Sequence, residues 1–241
     1  MYKRQGYLAL CSDNLPDPSI ALPGEHFNTV LYTADASSGN AVTGVGFQPD
    51  LVWAKDRDYT EHYGLADSIR GSTCLLASDL NNAEACHSTY IESFDSDGFT
   101  LGADASVGDV NYLSGNSYVS WNWNAGTSTV TNTEGSVNAQ VRANPTAGFS
   151  ICSFTMGAGS TTIGHGLSQA PELIIFKATG ATDGWYTQWP KTGNAARVML
   201  NQDAAAYTGS SSWSSTSPTA TVFTVAVGDV PVSYTHLTLP T

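Results

Sequence analysis

The chain has 241 residues, with 9 basic and 21 acidic side chains and a formal net charge of -12, yet charged residues make up only 12% of it. An acidic chain with no cluster of Lys or Arg offers no surface for displacing counterions from nucleic acid or for holding an anionic membrane, and no apolar run nears the roughly 18 residues of a membrane span, so both partners are excluded. Abundant Gly, Ser, Thr and Asn in place of charge fit a β-rich, loop-rich protein of an extracellular or particle surface better than a helical cytosolic enzyme.

Met1–Gln5 (MYKRQ) reads as the translation of one strand of a transposase-type DNA sequencing adapter, and Val232–Thr241 (VSYTHLTLPT) as the opposite strand of the same adapter. Residues 1–5 and 231–241 are therefore expected to be artefacts flanking an internal piece, Gly6–Val230, of a longer protein. Without Lys3 and Arg4 that piece holds seven basic against 21 acidic residues, a charge of -14. Residues 6–24 carry Pro16, Pro18 and Pro23 among polar residues and are expected to be a connector from an upstream domain.

From Phe27 onward the chain repeats itself. Phe27/Phe149, Gly44/Gly166, Pro49/Pro171, Leu51/Leu173, Lys55/Lys177 and Gly71/Gly193 all lie 122 apart; Leu76/Leu200, Asp79/Asp203 and Phe99/Phe223 lie 124 apart. An ungapped series through Gly, Pro and Lys is a duplication of domain size, not shared strand propensity. Residues 25–126 are the first copy, 127–136 a polar linker and 137–230 the second copy. In chain order the strands expected are TVLYTA, DLVWAK, STCLLAS, GFTLG and SYVSWNW, then SICSFTM, ELIIFK, ARVMLN and TVFTVAV. The apolar runs of DLVWAK and ELIIFK suit strands buried on both faces. One short helix is expected at Asn81–Cys86, and Tyr207–Thr221 reads as a long loop. After VGDV the first copy continues to SYVSWNW, in which Val119, Trp121 and Trp123 alternate with Ser120 and Asn122. The second copy has no such continuation, so it is expected to lack its closing strand and to leave a groove or an edge open. The fold class that follows is all-β: two tandem antiparallel β-sandwich, jelly-roll-like modules, the second truncated.

No nucleophile elbow, HExxH, P-loop or GxGxxG occurs, so no catalytic residue, cofactor or metal is assigned. DSDG (Asp95–Gly98) has half the ligands of a calcium loop and reads as a tight turn. His26, His62, His87 and His165 are scattered, without ligand spacing. Cys11, Cys74, Cys86 and Cys152 form no CxxC pair and read as isolated small buried residues, with a Cys74–Cys86 bridge left as the alternative. Of six tryptophans, Trp53, Trp121 and Trp123 fit core packing. Trp185, Trp189 and Trp213 lie in turn-rich stretches (TDGWYTQW and SSSWSS) and are the candidates for stacking on a sugar ring, with neighbouring amides for its hydroxyls.

The series EHFNTVLYT, GVGFQPDLVWAKDR, DSIRG, SFDSDGFTLG, GNSYVSWNWNAG and TIGHGLSQAPELIIFK resembles the tandem modules of uncharacterised tailed-phage virion proteins. GYLALCSDNLPDPSI is similar to the join that follows a SPRY-like, concanavalin-type sandwich in those proteins. The resemblance covers nearly all of Gly6–Val230 and brings no assigned ligand or catalytic residue. It implies a non-enzymatic component of the virion, in the tail or its fibres. Such a component would have other virion proteins and a host-surface glycan as partners, and would be a homo-oligomer at full length. The alternative is a carbohydrate-binding module of a secreted bacterial protein; a glycan depolymerase, needing two carboxylates converging in a groove, ranks behind both.

Overall fold

The computed structural model describes residues 20–103, 110–157, 159–189, 193, 196–208, 216–226 and 233–239. Among these, the only helical element is one 3-10 turn at Pro23–Glu25; the chain is all-β and antiparallel throughout. The strands of the first half are β1 (Phe27–Thr33), β2 (Asn40–Thr43), β3 (Leu51–Asp56), β4 (Tyr63–Asp67), β5 (Gly71–Ala77), β6 (Ala85–Cys86), β7 (Ile91–Asp95), β8 (Gly98–Leu101) and β9 (Ser117–Trp123). Those of the second are β10 (Thr129–Asn132), β11 (Ala139–Asn144), β12 (Phe149–Thr155), β13 (Thr161–Gly164), β14 (Leu173–Ala178), β15 (Trp185–Gln188), β16 (Val198–Met199), β17 (Val222–Val225) and β18 (Ser233–Leu239).

They form four sheets. The first half gives a six-stranded sheet, β1-β9-β3-β4-β5-β6, and a three-stranded sheet, β2-β8-β7. The second gives a seven-stranded sheet, β10-β11-β12-β18-β14-β15-β16, and a two-stranded sheet, β13-β17. Three apolar cores separate these layers. Val52, Ala54, Phe99 and Leu101 fill the space between the two sheets of the first half. Ile174, Phe176, Ile163 and Phe223 fill the corresponding space in the second. The third core lies where the two large sheets meet and draws on both: Leu51, Leu65 and Leu76 from one, Phe149, Ile151, Ile175 and Trp185 from the other.

This layering explains the unbroken apolar runs. Along β3, Leu51 and Trp53 face the shared core while Val52 and Ala54 face the inner one. Along β14, Leu173 and Ile175 face the shared core while Ile174 and Phe176 face the other. Successive side chains leave opposite faces of a strand, so a strand covered on both sides needs apolar residues at every position.

Several positions of the sequence repeat have matching geometry. β1 and β12 begin and end 122 residues apart, as do β3 and β14. Lys55 and Lys177 make equivalent contacts. Lys55 Nζ donates to the carbonyls of Asp56 (2.6 Å) and Tyr59 (2.8 Å), and Lys177 Nζ to those of Ala178 (2.6 Å) and Ala181 (3.2 Å). Each ammonium closes the turn that follows its strand. Gly44 and Gly166 both have a positive φ (87° and 70°), as do Gly71 and Gly193 (103° and 98°), a region costly for any residue with a Cβ.

Four expectations need correction. The Gly126–Ser136 stretch is not merely a linker: Thr129–Asn132 pairs with β11 and extends the seven-stranded sheet. No helix forms at Asn81–Cys86, because Cys86 is paired in the ladder with Cys74 and disulfide-bonded to it. Those two cysteines are therefore not isolated; Cys152 is, buried and free, while Cys11 lies outside the described residues. Finally, the groove expected between β12 and β14 is filled. β18 lies there, paired on both sides, in the place β9 takes between β1 and β3. Main-chain hydrogen bonding is indifferent to sequence, so an extended segment of suitable length completes the ladder.

Candidate functional site

The DSDG segment is the turn its sequence implied. Asp95 pairs with Gly98 across a two-residue loop, and the Asp97 carboxylate accepts the N–H groups of Gly44 (3.1 Å) and Gly46 (2.7 Å). Among the described residues one group of side chains has metal-ligating spacing, Cys74, Glu84 and Cys86. Its two thiols are joined to each other and Glu84 is taken by Arg70 (2.6 Å), so no donor set remains. His165 is fully buried: its Nδ1 accepts the Leu167 N–H (3.1 Å) and its Nε2 donates to the Thr219 carbonyl (3.2 Å). That pattern fixes the neutral tautomer, and burial holds its pKa below the ordinary value. It is a strut between loops. Burial pushes the Cys152 thiol up to about 12, which makes it inert.

The three tryptophan candidates separate. Trp185 is buried in the shared core, its indole N–H donating to the Ala77 carbonyl of the other half (2.9 Å), so its ring cannot meet a surface ligand. Trp189 is 46% exposed. Trp213 lies outside the described residues. Trp53 and Trp123 pack against the shared core, as their sequence context implied, and Trp121 meets Trp53 edge-on at 6.0 Å.

The segment TDGWYTQW nevertheless marks a site, through the neighbour of Trp185. Tyr186 leaves the opposite face of β15 and helps line a polar cavity of about 340 Å³ with Asn81, Asp183, Arg197, Gln202 and Tyr207. The Arg197 guanidinium sits between two rings, 4.9 Å from the centre of Tyr186 and 5.2 Å from that of Tyr207. The Asp183 carboxylate accepts the Tyr186 hydroxyl (2.6 Å) and the Gly184 N–H (2.7 Å). Arg197 and Tyr207 also exchange backbone hydrogen bonds of 2.9 Å in both directions, which fixes their spacing. Asn81 comes from the first half, and its carbonyl accepts the Asp183 N–H (2.8 Å), so the cavity straddles the join. Aromatic faces, a guanidinium, a carboxylate and two amides within one small polar hollow provide apolar surface for a ring and donors and acceptors for its hydroxyls. The sequence pattern points to this segment but to the wrong side of the strand. Arg197, Asn81 and Tyr207 carry no local signal, since only the folded sheet brings them together.

No curated protein and no solved structure matches the chain. A family profile described as a domain of unknown function (DUF7483) matches residues 22–237, spanning both halves and reaching into β18. The chain belongs to the DUF7483 family.

Proposed function

We propose that this chain is a non-enzymatic component of a tailed-phage particle, tail- or fibre-associated, that contributes to particle structure and contacts sugars of the host surface. The observation that carries the sugar-binding half is the Tyr186–Arg197–Tyr207 stack at the rim of a polar cavity. The particle assignment is supported by the sequence resemblance and by an architecture made wholly of sheets. The cavity lining includes one carboxylate, Asp183, which fits binding better than the two-carboxylate chemistry of glycan cleavage. One observation favours the second reading, a carbohydrate-binding module of a secreted bacterial protein. The Cys74–Cys86 disulfide belongs to an oxidising compartment, although it also suits a particle released from the cell.

The test is a glycan array probed with the whole chain and with Tyr207→Ala, a residue 44% exposed that forms one wall of the stack. Binding to a polysaccharide class that Tyr207→Ala loses, with unchanged circular dichroism, is the expected result. A blank array for the parent removes the sugar-contact reading. Gold-labelled antibodies that decorate no particle remove the virion assignment.

A further inference from the structure

We propose that Asp183–Gly184 is a site of spontaneous covalent modification, where the carboxylate of the cavity closes onto the next main-chain nitrogen and reopens as isoaspartate. The sequence holds two Asp-Gly pairs, Asp97–Gly98 and Asp183–Gly184, and no Asn-Gly pair. Glycine leaves the nitrogen that follows an aspartate unshielded, so local chemistry favours both pairs. The fold treats them differently. Asp97 turns away from its own glycine: its carboxylate oxygens accept the N–H groups of Gly44 (3.1 Å) and Gly46 (2.7 Å), and Gly98 opens β8, paired with Asp95. Asp183 turns onto its own glycine, with Oδ1 2.7 Å from the Gly184 nitrogen.

The surroundings hold that approach in place. The Asp183 N–H is fixed on the Asn81 carbonyl (2.8 Å) and the Trp185 N–H on the Asn201 side-chain oxygen (3.1 Å), so the Gly184 peptide is anchored on both sides. Gly184 precedes β15, whose ladder with β14 begins at Trp185, so strand pairing does not claim its N–H. A Cβ at Gly184 would overlap the Met199 methyl, which ties the position to glycine. The Tyr186 hydroxyl donates to the same Oδ1 (2.6 Å) and draws electrons from the carboxyl carbon that the nitrogen must reach. Reacting groups held together at this range close a ring faster than groups that must first find each other. Both residues line the polar cavity, which admits the water that the second step consumes.

The chemistry balances without an oxidant or a partner. The Gly184 nitrogen gives its proton to solvent and bonds to Asp183 Cγ, one carboxyl oxygen leaves as water, and a five-membered imide results. Water then adds to the main-chain carbonyl carbon of Asp183, and the C–N bond there breaks. The chain now runs through Cγ, one methylene longer, and the freed carboxylate sits on Cα. The Tyr186 hydroxyl loses its present acceptor, so one wall of the cavity is rebuilt as the molecule ages. The reaction needs no ligand and stands apart from the sugar-binding reading.

The test is to hold the whole chain near neutral pH at 37 °C for several weeks, folded and in urea, and to quantify isoaspartate at both pairs by peptide mapping with electron-transfer fragmentation. In the folded chain Asp183 should convert about tenfold or more faster than Asp97, and in urea, where neither carboxylate is positioned, the two rates should come together. No product at either pair, conversion at Asp183 no faster than at Asp97 in the folded chain, or a preference for Asp183 that survives unchanged in urea each overturns the proposal.

Discussion

Lys177 shows what the duplication preserved at the level of single residues. It is fully buried, and desolvation pushes its pKa down to about 8 against an ordinary value of 10.5. Below pH 8 the ammonium is charged in both folded and unfolded chains and the fold bears the desolvation. Between about 8 and 10.5 the unfolded chain binds more protons, so stability rises with pH through that window. Urea unfolding at pH 7.5 and 9.5 should show that rise, and Lys177→Met should abolish it while lowering stability at both pH values. His165 works on the acid side. With its folded pKa depressed, the unfolded chain takes up the proton first as pH falls below 6.5, so stability declines from there downward. His165→Gln should flatten that decline. Lys55 and Lys177 were visible as a repeated letter, but what they hold together was not, because the carbonyls they bridge lie in turns of unrelated sequence. Asn111 was invisible altogether. It is fully buried and its amide donates to the carbonyls of Ser37 (3.0 Å) and Gly102 (2.8 Å) while its oxygen accepts the Asp35 N–H (3.0 Å), a hub assembled from distant loops.

Strands were legible where alternation or β-branching was strong and were missed where pairing alone made them. β1, β3, β12 and β14 appear where their apolar letters put them, whereas β10, with the sequence TVTN and mostly exposed, exists because β11 offers it an edge. In β9 the buried face is the opposite of the one its alternation suggests. Tyr118, Ser120 and Asn122 are the buried positions, and the Val119, Trp121 and Trp123 face is only half-buried. At this scale two staples can be tested. The Cys74–Cys86 bridge, with a sequence separation of 12, ties edge strand β6 to β5. Reducing it, or changing both cysteines to Ser, should lower unfolding stability by about 3 kcal/mol, as closing a loop of that size implies. Arg142 of β11 meets the buried Asp50 carboxylate at 2.6 Å and also donates to the Gly126 carbonyl (2.9 Å). Burial nonetheless holds the Asp50 pKa above its ordinary value. Arg142→Met leaves a buried carboxyl without its cation and should destabilise by about 3–5 kcal/mol, much of which Asp50→Asn should restore in the double variant, by equilibrium denaturation.

The described residues form a stack of four sheets with a core in each of the three gaps. The duplication predicts two sandwiches, but nothing in a one-dimensional pattern states that their large sheets face each other. That information lies in which of two apolar faces meets which, and continuous runs such as LVW and LIIF do not distinguish the inner wall from the outer. Trp185 marks the join, with its ring in the shared core and its N–H on the other half. Trp185→Ala should cost about 3–5 kcal/mol through the cavity and the unmet Ala77 carbonyl. Because both halves own that core, calorimetry should record one transition rather than two, and Trp185→Ala should lower it without splitting it.

On the proposed sugar-binding reading, that central layer would also govern how tightly a single molecule holds a many-armed target. Two recognition units on a slack tether help one another because the first to land keeps the second nearby. Here the halves are bolted back to back and the proposed cavity draws on both, so among the described residues a single chain offers one such hollow and no second unit to search while the first is held. Any gain from repeated weak contacts must come from several polypeptides side by side, and the dose–response of a lone chain should follow a plain hyperbola.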